Sequence, residues 1–208
     1  MLKTRVNGDI TAKSSEFPFH VAIFFESRYR CGGSLLTAKA TISASHCIVN
    51  STQDLLPSDN FRLLFGSVDL LSLSGNEALR KVKEIYKHPD YSFERILRND
   101  IAVLRIDGNL QFSQFIQPIC LPSSLPSINT RVNEHLVILG FGSSTESLKP
   151  SRYLHYGRMT VISRAQCTEK IIFALFDVGV TYLIYRISND KFTALLYALN
   201  PAMLMIGS

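Results

Sequence analysis

The sequence predicts an all-β fold, an antiparallel sandwich or barrel, on three observations. Between residues 17 and 170 the apolar or alternating runs are short. Turn residues fall between them at regular intervals, and the length of 208 residues with 46% hydrophobic composition suits one β domain with a buried core. Taken in order, Phe19–Phe25 is followed by Gly33–Leu36, and Phe61–Phe65 is bounded by Asn60 and Gly66. Gly75-Asn76 and Pro89-Asp90 then mark turns, Ile101–Ile106 stops at Asp107-Gly108, and Leu136–Leu139 lies beyond Pro122. Short runs at this spacing favour antiparallel strands over alternating β and α units.

Charge narrows the function classes. Lys and Arg number 22 against 17 Asp and Glu, a net charge of +5 with a pI near 9.1. The basic residues stand singly or in pairs such as Arg80-Lys81, so they read as a solvated surface and not as a nucleic-acid patch. Met1–Arg5 is too short for an exporting leader and carries no apolar region. After Lys170 the composition changes: residues 171–208 carry only Asp177, Arg186, Asp190 and Lys191 as charges. These charges and Pro201 interrupt every apolar run before it reaches the 18–20 residues of a membrane span, so insertion is disfavoured.

Two blocks carry chemistry. The first is Cys31-Gly32-Gly33-Ser34-Leu35-Leu36, followed by Ser45-His46-Cys47. The four cysteines (Cys31, Cys47, Cys120, Cys167) allow three pairings and lack the Cys-x-x-Cys spacing of a zinc site. A bridge from Cys31 to Cys47 would close a loop of about 15 residues, worth roughly 3 kcal/mol in the chain-entropy description, and would fix the backbone beside His46. The second block is His88-Pro89-Asp90-Tyr91 with Asn99-Asp100 ahead of Ile101–Ile106. Asn-Asp before an apolar run reads as a turn into a strand. A carboxylate at the mouth of a strand also serves to accept a histidine Nδ1–H and set its tautomer, which gives His46 and Asp100 together more weight than either has separately.

With these residues the chain resembles the trypsin/chymotrypsin-type (S1) serine proteases, with the character of secreted arthropod haemolymph proteases. The likeness runs through Arg5-Val6-Asn7-Gly8, Glu16-Phe17-Pro18, both blocks above, Gln117–Pro122, Gly140-Phe141-Gly142 and Val161–Cys167, in order over about residues 5–170. It implies a chymotrypsin-like double antiparallel β-barrel, the first barrel over about 6–115 and a partial second over 116–170, with 171–208 as a non-homologous apolar tail. It further implies peptide-bond hydrolysis by acyl transfer on protein or peptide substrates, His46 as general base, Asp100 as its orienter, and activation by cleavage between Arg5 and Val6. No cofactor and no metal are expected. A calcium loop between Gly66 and Arg80, using Asp69 and Glu77, competes with the preferred reading of an ordinary surface loop.

The departures are as informative. The family's nucleophile stands in a Gly-Asp-Ser-Gly-Gly segment, and the 208 residues contain none. By resemblance Cys167 pairs with a cysteine beyond Lys170, and Cys120 with one in an upstream light chain. The expectation is therefore a fragment of a secreted serine endopeptidase, inactive without its nucleophile. The alternative is a non-catalytic homologue that binds or regulates within an extracellular protease cascade.

Overall fold

The computed structural model describes residues 10–93, 98–121, 132–142 and 150–163, together with the backbone of two strands at Leu183–Ser188 and Lys191–Leu195. Arg5, Val6 and Cys167 lie outside the described residues. The chain runs through β1 (Ile10–Thr11), β2 (His20–Phe25), β3 (Arg28–Thr37), β4 (Ala40–Ser43), β5 (Phe61–Phe65), β6 (Ala78–Lys87) and β7 (Ala102–Ile106). Then follow β8 (His135–Gly140), β9 (His155–Thr160), β10 (Leu183–Ser188) and β11 (Lys191–Leu195). Strands β2–β7 close into a six-stranded antiparallel barrel in the order β2-β3-β4-β7-β6-β5. The other five form a sheet in the order β1-β9-β8-β10-β11. The fold is all-β, a complete barrel beside a partial second one.

The largely apolar runs of β2 and β5, broken in β5 by Arg62, have a physical cause: both faces of these strands are covered. Successive side chains of a strand point to opposite faces. On β2, Val21 and Ile23 point into the barrel core with Leu63 and Phe65 of β5. Ala22 of β2 and Leu64 of β5 point the other way, into a second core with Val137, Leu139, Phe141 and Leu154. This second core joins the barrel to the second sheet. Phe61, Phe65 and Phe141 are fully buried, and each such side chain contributes about 1.5–3 kcal/mol relative to exposure. Strand β6 reads differently, with single aliphatics between paired charges in Arg80-Lys81-Val82-Lys83-Glu84-Ile85, because only its barrel side is covered and its register shifts between Val82 and Glu84.

Glycines fall where the chain reverses. Gly66, Gly75 and Gly108 all have positive φ, a region that glycine enters without steric cost. Gly33 serves differently: a Cβ there would lie 3.0 Å from the Ile42 carbonyl oxygen and 3.0 Å from Thr41 Cγ2. Its absence lets β3 approach β4 just upstream of the segment that carries His46.

Two backbone contacts tie the barrel to the second sheet: Leu70 N–H donates to the Arg152 carbonyl at 2.9 Å and Leu154 N–H to the Val68 carbonyl at 2.9 Å, while Ala12 N–H donates to the Leu154 carbonyl at 2.8 Å within the second sheet. Asp69 and Arg152 add a bidentate ion pair across the same seam, at 2.9 and 2.8 Å.

Candidate active site

His46 sits on a single 3₁₀ turn, Ser45–Cys47, directly after β4. Such a short element has little stability of its own, and a disulfide and five hydrogen bonds hold it. Cys47 is bridged to Cys31 of β3, with Cα atoms 6.1 Å apart. Ser45, fully buried, donates its hydroxyl to the Ile101 carbonyl at 2.7 Å. Arg30, the residue before Cys31, donates Nε to the Cys47 carbonyl and Nη2 to the Val49 carbonyl, the latter at 2.8 Å, with its guanidinium over the Phe25 ring. Asp100 makes the remaining two contacts, both to His46.

Asp100 reaches that position through a backbone device. Asn99 adopts φ 52°, a left-handed conformation that asparagine tolerates better than most residues. Its side chain donates to the Asp90 carbonyl at 2.9 Å. The turn aims Asp100 inward, where it is 1% exposed. One carboxylate oxygen accepts the His46 backbone N–H at 2.8 Å, and the other accepts Nδ1–H of the ring at 2.6 Å. That bond assigns the proton to Nδ1 and leaves the Nε2 lone pair as the basic site. The His46 side chain is 30% exposed while Asp100's is fully covered, and Nε2 lies 3.5 Å from Cys47 Sγ.

Tyr91 of the His88–Tyr91 turn packs close by. Burial, helped by the Asp100 carboxylate, pushes its phenol up to about 12. The turn is closed by Tyr91 N–H donating to the His88 carbonyl at 3.0 Å.

The structure therefore brings together His46, Asp100, Cys31 and Cys47. Cys120 lies apart as an exposed free thiol. Arg30 and the bracing role of Ser45 were not signalled by the sequence; a single arginine or serine beside a motif looks like any surface or strand residue. Among the described residues, the one cluster of metal-ligand type is Cys31, His46 and Cys47. Both sulfurs are spent in the disulfide, and a ligating cysteine must be a thiolate. Asp69 pairs with Arg152, and Glu77 accepts from the Ser74 N–H and hydroxyl and from the Gly75 N–H. No described helix is long and apolar enough to cross a membrane.

The barrel thus holds a histidine against a buried aspartate, next to a disulfide on the same turn. The chain belongs to the trypsin family, whose sequence profile matches residues 6–183. It is 30% identical over 164 residues to serine protease SP24D of Anopheles gambiae, covering 78% of this chain and 56% of that protein. It is 25% identical over 184 residues to ovochymase-2 of Mus musculus, covering 88% of this chain and 29% of the relative. Thrombin-like enzyme flavoxobin of Protobothrops flavoviridis is 31% identical over 133 residues, covering 63% of this chain and 46% of the relative. The chain thus spans between 29% and 56% of the length of these relatives.

Proposed function

We propose that the chain carries the general-base half of an S1 serine endopeptidase site, with His46 as base and Asp100 as its orienter. The observation behind this reading is the double acceptance by Asp100 of the His46 backbone and ring, which fixes position and tautomer together. In peptide hydrolysis by acyl transfer, Nε2 takes the proton of an attacking hydroxyl and returns it to the leaving amine. The 208 residues contain no Gly-Asp-Ser-Gly-Gly segment, so this polypeptide by itself acylates nothing. Loss of the nucleophile costs about 10⁶ in kcat in subtilisin, an unrelated fold with the same catalytic logic.

Protein or peptide substrates, secretion, activation between Arg5 and Val6, and a disulfide from Cys120 to an upstream chain belong to the same proposal. The exposure of the Cys120 thiol supports the last of these. The alternative, which the same base and orienter without that segment also suits, is a binding or regulatory homologue. The test is to incubate the 208-residue chain with peptide amides and a fluorophosphonate probe, beside His46→Ala. Neither cleavage nor labelling is expected. Turnover that disappears in His46→Ala would overturn the proposal.

A further inference from the structure

Four residues after His46 the chain reads Asn50-Ser51-Thr52. Asparagine followed two places later by a hydroxyl residue, with no proline between, is the acceptor pattern for N-linked glycosylation. No other asparagine in the 208 residues has Ser or Thr at that offset. Triplets of this kind also arise by chance, so the local structure has to carry the argument.

Asn50, Ser51 and Thr52 are all exposed. The two functional atoms of the Asn50 side chain are used very differently. Oδ1 accepts from the Thr52 N–H at 2.9 Å and the Asp54 N–H at 2.9 Å, and the Thr52 hydroxyl lies 2.8 Å away. Nδ2 makes one long contact, 3.4 Å to Asp54 Oδ2. The carbonyl oxygen builds the turn, and the amide nitrogen is nearly uncommitted. A sugar on Nδ2 replaces one N–H and leaves Oδ1 as an acceptor, so the folded loop accommodates the modification without losing the bonds that shape it. The loop is anchored on both sides: Val49 and Leu55 form a β-bridge, and Lys87 Nζ donates to the Gln53 carbonyl at 3.0 Å.

We propose that Asn50 is an N-glycan acceptor at the rim of the His46 site, a site of covalent modification by a lipid-pyrophosphate-linked oligosaccharide. In the transfer, a bond forms between Nδ2 and the sugar C1 while the bond from C1 to the pyrophosphate oxygen breaks. The lipid pyrophosphate leaves, and one Nδ2 proton passes to a base of the transferase. Four residues of chain reach at most roughly 14 Å, so the glycan is rooted beside His46. There it hinders large protein partners more than short peptides. The inference rests on the secreted-peptidase reading, because only a chain entering the secretory pathway meets this donor.

The experiment directs the full 208-residue chain into microsomes with a heterologous leader and reads glycosidase-sensitive mass and the modified peptide. One glycan at Asn50 is expected, retained in Thr52→Ser and lost in Thr52→Ala and Asn50→Asp. Asn50→Asp keeps an oxygen to accept from Thr52 and Asp54, so its Cys31–Cys47 bridge should still form and misfolding is separated from loss of the acceptor. A translocated chain with that bridge formed but no sugar on Asn50 would overturn the proposal, as would a glycan that survives in Asn50→Asp. The readout needs no catalysis, so it fails or succeeds independently of the fluorophosphonate test.

Discussion

Asp100 accepts two hydrogen bonds from His46, one from its backbone N–H at 2.8 Å and one from its ring at 2.6 Å. A single buried side chain thereby sets both the position of the base and which ring nitrogen carries the proton. Asp100→Asn keeps the shape but places an amide N–H₂ or a neutral oxygen against Nδ1. We expect the low-field Nδ1–H proton resonance of His46 to disappear and stability to fall by about 1–3 kcal/mol, the range for disturbing a buried charge-assisted bond. A variant that kept both the resonance and the stability would show that Asp100 does not orient the ring.

Arg30 braces the same turn from the opposite side through the Cys47 and Val49 carbonyls. Arg30→Met should lower the unfolding free energy by about 1–2 kcal/mol, the sum expected of two partly exposed hydrogen bonds. Arg30→Lys should recover only part, because one ammonium does not reproduce the planar fork. Denaturant melts of the three proteins decide it, with equal midpoints counting against the brace.

The seam between barrel and second sheet should loosen in acid. The Arg152 guanidinium, donating to both oxygens, draws the Asp69 carboxyl down to about 2. A carboxylate with a lowered folded-state pKa contributes stability that is complete above its unfolded value near 3.9. That contribution is lost as pH falls through the folded value. The protection of the Leu70 and Leu154 amides, whose N–H groups cross the seam, should therefore fall between about pH 4 and pH 2 relative to the unfolded exchange rate at each pH. Asp69→Asn should show faster exchange throughout and no such step.

His20 supplies a second acid sensitivity at higher pH. It is 3% exposed, its Nε2 has no hydrogen-bond partner, and it lies edge-on to Phe141 at 5.4 Å. Burial pushes its imidazole down to about 3, against about 6.5 unfolded. The unfolded chain therefore binds a proton that the folded one refuses. Stability is complete above about pH 6.5 and declines below it at up to about 1.4 kcal/mol per pH unit, until the folded value near 3 is reached. His20→Phe should flatten stability between pH 6.5 and 4 in urea melts; an unchanged slope would assign the acid sensitivity elsewhere.

Much of this fold was legible along the chain. Phe61–Phe65 is a strand with the bounds its sequence suggests, because Asn60 and Gly66 punctuate it and both of its faces are buried. Strand β6 was less visible because covering one face, with a register shift between Val82 and Glu84, leaves paired charges that resemble surface. The pair His46 and Asp100 could be picked out because each stands in a distinctive string of residues. Arg30, Ser45 and the φ of Asn99 could not, since their roles consist of contacts with groups distant in sequence. The apolar stretch after Lys170 reads as a tail, yet backbone at Leu183–Ser188 pairs with β8; pairing partners are not encoded in an apolar run.

The sequence by itself determined the antiparallel all-β class, the two blocks bearing His46 and Asp100, and the lack of a Gly-Asp-Ser-Gly-Gly segment within these residues. Periodicity, turn chemistry and local motifs are properties of neighbours along the chain, so they survive without coordinates. Only the tertiary structure decided that Asp100 meets His46 across 54 residues of separation, that Cys31 is the partner of Cys47, and that Arg152 closes on Asp69. Those are meetings in space, fixed by barrel closure and by the second core that covers the outer face of β2 and β5, and no local pattern specifies them.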